Sequence, residues 1–66
     1  MLKVVERNSN TGRDKLIREV DTVTMALNVR LMHESKLICG GWTRTGDHTL
    51  VNMRSRVHIT IEIIEE

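Results

Sequence analysis

The plainest pattern in the chain is the alternation of "VHITIEII", residues 57–64, where Val57, Ile59, Ile61 and Ile63 share one face and His58, Thr60 and Glu62 share the other. A period of two marks a strand with one buried face, so a strand is predicted here. "LKVVER", Leu2 to Arg7, predicts another, since Val4 and Val5 are β-branched and charge closes the run. "NSNTG", Asn8 to Gly12, then offers side chains that bond nearby backbone and a glycine free to take positive φ, the ingredients of a hairpin loop. The chain is expected to return as a strand over Arg13 to Val20.

"DTVTMALNVRLMHESK", Asp21 to Lys36, carries two patterns at once. Alternation places Met25, Leu27, Val29 and Leu31 on one face and Ala26, Asn28 and Arg30 on the other. A helical period instead splits the apolar residues, with Met25, Val29 and Met32 on one side and Val23, Leu27 and Leu31 nearly opposite. That is a poor single stripe for a surface helix. Composition pulls the other way: Met, Ala, Leu, Arg and Glu favour helix, and Asp21, Thr22 or Thr24 could cap its start. Alternation decides for a strand, with "KLIC" pairing back on it across a turn at His33 to Ser35.

Three of the four glycines then fall in "CGGWTRTGDH", Cys39 to His48. Gly40–Gly41 predicts a turn or bulge. "TGDH" predicts a hairpin with Gly46–Asp47 at its tip and "WTRT" facing "HTLV". "MRSR", Met53 to Arg56, makes a basic connection into the last strand. The expected fold is therefore all-β, a small antiparallel sheet or partly open barrel of about five strands. The alternative is α+β, with one helix within residues 21–36 packed on an antiparallel sheet.

Length tightens this picture. Sixty-six residues make a single domain, 1–66, with a core expected to supply only about 3–5 kcal/mol. Phe and Tyr are absent, so Val, Ile, Leu and Met must fill that core around Trp42. The single cysteine excludes an internal disulfide. Cys39, His33, His48 and His58 could formally surround zinc, but structural sites use paired ligands at short spacing, and no such pair occurs. No metal or other cofactor is expected, which leaves self-association as the expected reinforcement, with the last strand as its seam. Proline is absent, so nothing obvious protects the sheet edges.

Candidate chemistry is sparse. Cys39, His48 and Asp47 are the nearest approach to a nucleophile and base, but the predicted hairpin separates them and nothing would lower the thiol pKa. Cys39 is expected to be a small buried hydrophobe. Neither phosphate-binding glycine motif occurs, so no small-molecule substrate and no catalysis are expected. Arg44, Arg54 and Arg56 flank Trp42 in sequence, and Arg outnumbers Lys by seven to three. Trp and Arg are enriched at protein interfaces and dominate their energetics, which marks Trp42, Arg44, Arg54 and Arg56 as the partner-binding residues. The same set could stack on and pair with a single-stranded nucleic acid, although a net charge of +1 gives no strongly basic surface.

The charged N-terminus and the lack of a long apolar run argue against a leader or a membrane span, and with the lone thiol they predict a cytoplasmic protein. The expectation is a non-catalytic, self-associating binding protein that acts sterically as a regulator or inhibitor of another macromolecule. Chains of this kind are expected among phage or mobile-element accessory proteins.

Overall fold

The computed structural model of the chain describes residues 1–65, and the pattern of short strands closes into one antiparallel sheet with a single helix across it. The strands are β1 (Leu2–Asn8), β2 (Asp14–Val20), β3 (Trp42–Gly46), β4 (Thr49–Asn52) and β5 (Val57–Glu65), in the order β2-β1-β5-β4-β3. Helix α1 (Val23–Cys39) carries the chain from one edge of the sheet to the other. The five-stranded antiparallel sheet is as the sequence predicts, in its open form and with the one helix of the α+β alternative.

The strand preferred for Asp21 to Lys36 is therefore corrected, and "KLIC" is the last turn of the same helix. Capping explains where the helix begins. Thr22 is extended (φ −126, ψ 154) and its Oγ1 accepts the Met25 amide at 3.2 Å, satisfying a donor that the first turn leaves free. The Gly40 amide bonds back to Lys36 and Leu37 carbonyls, and Gly41, at φ 102, turns the chain into β3. The residues α1 turns inward are Ala26, Val29, Arg30, His33, Glu34 and Leu37, a helical spacing of threes and fours. Neither of the two apolar stripes read from the sequence is that face.

The core lies between α1 and the sheet. Val4, Val20, Ala26, Leu50, Ile59 and Ile61 form it, with Val57 and Ile63 packed against its margin, so β5 buries the face its alternation predicts. β5 pairs with β1 along Ile59–Glu65 on one side but with β4 only along Val57–Thr60 on the other, so the second half of the strand has no strand neighbour on that side. The outermost strands are β2 and β3.

The sheet face away from α1 is built for water. Arg7 grips Asp14 with two bonds, Nε to Oδ1 at 2.8 Å and Nη2 to Oδ2 at 3.2 Å, and its Nη1 meets Glu62 at 2.8 Å. The hydrogen bond from Arg7 holds the Asp14 carboxyl below its ordinary value. A depressed folded pKa contributes stability above the unfolded pKa and loses it as pH falls through the folded one. Asp14→Asn is thus expected to melt slightly below wild type at neutral pH. The gap should close as pH falls beneath the ordinary carboxylate range, and paired melts against pH would expose a gap that persists in acid.

Candidate functional site

Two loops and a strand start meet at one end of the sheet, and they are built alike. Asn8 Oδ1 accepts the amides of Asn10 (2.9 Å) and Thr11 (3.3 Å), the Gly12 amide returns to Asn8 O at 2.7 Å, and Gly12 takes φ 72. Asn52 Oδ1 accepts the amides of Arg54 (3.0 Å) and Ser55 (3.2 Å), the Arg56 amide returns to Asn52 O at 2.7 Å, and Arg56 takes φ 58. An asparagine opens each loop and a left-handed residue closes it four positions on. The second loop holds an arginine where the first holds a glycine. The loops are tied together by Ser9, whose amide and hydroxyl both reach His58 O (2.9 and 2.8 Å), and by Asn10 Nδ2 to Arg56 O at 3.4 Å.

Beside them α1 leaves part of the sheet uncovered. An open groove of about 560 Å³ has Trp42, Val57 and Ile59 from the strands, Asn8, Thr11, Arg13 and Lys15 from the β1–β2 hairpin, and Ser55 from the β4–β5 loop. Trp42 is half-buried: it packs on the core margin and also lines the groove. Whether it serves the fold or a partner therefore has a double answer in its position.

The predicted arginines do not gather around it. Arg54 lines a hollow with Gly40, Gly41 and Asn52, whereas Arg56 lies toward the opposite sheet face with Val51, Met53 and His58. Arg44 points beneath the helix, where its Nη2 donates to Glu34 Oε1 at 3.4 Å while its side chain stays 51% exposed. The cations that share the Trp42 groove are Arg13 and Lys15, which the sequence reading passed over because they lie some thirty residues away. Only the hairpin expected at Asn8 to Gly12 could have brought them forward.

Glu34 is the other residue missed. It is 2% exposed, the one buried charged side chain among the described residues, and its Oε2 stands 3.2 Å from His48 Nδ1. The two atoms stand within hydrogen-bond distance, with the donor set by the imidazole tautomer. The contact also accounts for the β3–β4 turn. The sequence predicts Gly46–Asp47 at the tip, but Gly46 stays in the strand opposite Thr49, and Asp47–His48 make the turn with His48 at φ 61. Histidine tolerates that conformation better than most residues, and the Glu34 contact holds it there.

The remaining candidates are dispersed. Cys39 is exposed at the end of α1, which corrects its expected burial: the helix that replaces the predicted strand turns this position to solvent. His33 faces Glu6 at 3.9 Å, with Nε2 buried and without a hydrogen bond, and His58 lies on the far side of the sheet. Among the described residues no three His, Cys, Asp or Glu side chains are placed to share a metal ion, and no helix is long and apolar enough to cross a membrane. No family model, curated protein or solved structure matches the chain, so nothing about a partner is inherited from a relative.

Proposed function

We propose that this chain is a non-catalytic binding protein that self-associates and acts sterically, as a regulator or inhibitor, by covering a surface of another protein with the loop end of its sheet. The reading keeps the phage or mobile-element accessory role and the cytoplasmic setting expected from the sequence. Trp42 supplies an anchor on one side of this end, Arg56 a guanidinium toward the other sheet face, Arg54 one beside the double glycine, and Arg44 a half-exposed guanidinium on the same strand as Trp42. One observation carries most weight. Arg56 occupies a left-handed position that an equivalent loop gives to Gly12. That conformation costs an ordinary L-residue roughly 1–2 kcal/mol, and strain of this kind tends to be kept where the side chain has work to do.

The test has opposite signs for stability and binding. Arg56→Gly relieves the strain and is expected to raise stability by up to about 1 kcal/mol while weakening partner binding by roughly 2 kcal/mol, the loss typical of an interface hot spot. Thermal melting paired with affinity measurement reads both. A variant that is stabilised and binds as wild type would remove Arg56 from the site. A second reading, a single-strand nucleic-acid platform, rests on the indole sharing an open groove with Arg13 and Lys15, although Glu6 and Asp14 line the same groove and balance their charge. Titration with oligonucleotides at two salt concentrations, following Trp42 fluorescence, separates the two, since phosphate contacts weaken steeply with salt.

A further inference from the structure

Helix α1 wears its residues the wrong way round for a helix that meets only water. The positions it turns toward the sheet include Arg30, His33 and Glu34, whereas those it exposes, from Val23 to Cys39, include a single charged residue, Lys36. Thr24, Asn28 and Ser35 are exposed there too, but large apolar side chains flank them: Val23 is 61% exposed, Leu31 59% and Met32 72%, with Met25, Leu27 and Ile38 all above 40%. Val23, Leu27, Leu31 and Ile38 line one flank of the helix and Met25 and Met32 the other, and exposed apolar surface of this extent marks an interaction site. The opposite surface exposes Leu16 and Met53 but is laced with the Arg7–Asp14, Arg7–Glu62 and Lys3–Glu19 ion pairs.

We propose that the solvent face of α1 is a self-association surface and that its occupant is α1 of a second copy of this chain. The inference rests on the self-association in the reading above and gives it a surface. Charge selects the occupant. In a two-fold pairing each patch faces itself, so any charge near the axis meets its own like. A face with its charges turned inward satisfies that condition. A foreign protein, by contrast, is usually steered and selected by complementary charge, and this face offers almost none. The core gives a second reason: α1 meets its own sheet through Ala26, Val29, Leu37 and Glu34, and a partner helix would cover the apolar side chains that these contacts leave out. Helix α1 spans 17 residues. At about 25 Å long and 10–12 Å across, its face offers roughly a third of the ~800 Å² per partner of a standard interface, so the dimer is expected to be weak and concentration-dependent.

Ser35→Lys provides the sharpest test. Ser35 is exposed, one turn from Leu31 and Met32, and Lys is the better helix former, so on a helix facing water the change should be neutral or stabilising. On a paired helix it sets like charges against each other and is expected to weaken dimerisation by more than about tenfold. Sedimentation of wild type, Ser35→Lys and Leu31→Lys over a wide micromolar range should show twice the 7.6 kDa chain mass for wild type and the single mass for both variants, with far-UV circular dichroism unchanged. A monomeric wild type overturns the proposal. So does a dimer that survives both substitutions, which would place the seam on a sheet edge. Because no partner molecule enters the measurement, its failure leaves the Arg56→Gly binding test standing, and the reverse also holds.

Discussion

Leu50→Ala is expected to leave little folded protein at room temperature. Leu50 is completely buried, on β4 opposite Ile59, in the cluster where β1, β4 and β5 meet beneath Ala26. Removing a buried leucine side chain to its Cβ costs about 2–5 kcal/mol, from lost transfer free energy and from the cavity left behind. The other buried members of the cluster are Val, Ile and Ala, short side chains with little reach into the space. A core worth about 3–5 kcal/mol cannot absorb such a loss. Urea unfolding followed by Trp42 fluorescence and circular dichroism measures it. If α1 pairs with a second copy, raising protein concentration should recover part of the folded signal, because association stabilises by mass action. A variant melting within a few degrees of wild type would mean that stability resides outside this cluster.

How far the sequence could foresee this arrangement depends on whether a residue's surroundings are local. β5 was legible because Ile59 and Ile61 need only an alternating neighbourhood to be placed on the core face, and Asn8 to Gly12 because the bonds to Asn8 that shape that loop stay within six residues. α1 was not, because its inward face carries Arg30, His33 and Glu34, and a rule that seeks apolar residues on the buried side looks at the wrong side. The alternation of Met25, Leu27, Val29 and Leu31 is a by-product of two exposed apolar flanks, Met25 on one and Leu27 and Leu31 on the other, with Val29 packed against the core. Helix propensity and the Thr22 cap were the sounder signals. At the site, Trp42 and the double glycine stand out by type, but the twin loops hide because Arg56 sits where the first loop shows a glycine. The Arg44–Glu34 contact joins a strand to a helix face that had not been predicted, so nothing in the sequence reading could pair them.

That contact also gives the largest expected effect on a charged residue. Arg44→Ala combined with His48→Gly strips Glu34 of both its partners, and an uncompensated buried charge costs about 3–5 kcal/mol, comparable to the loss at Leu50. The glycine is chosen because His48 stands at φ 61, so the backbone is relieved and any destabilisation belongs to the stranded carboxylate. Each single variant should fall between wild type and the double, since the remaining partner still meets one carboxylate oxygen: His48 at Oε2 in one case, Arg44 at Oε1 in the other. Adding Glu34→Leu to the double variant should then restore most of the stability, because replacing a buried ionic cluster by an apolar side chain of similar volume is often neutral or better. Such a rescue also bears on function. Arg44 is half-exposed, so in the rescued background, where it no longer matters to the fold, any binding that stays lost after Arg44→Ala belongs to the partner surface. Thermal melting of the four variants and wild type decides the first part. If the double variant melts like wild type, Glu34 is satisfied some other way and the helix–sheet charge cluster is not what orients β3 against α1.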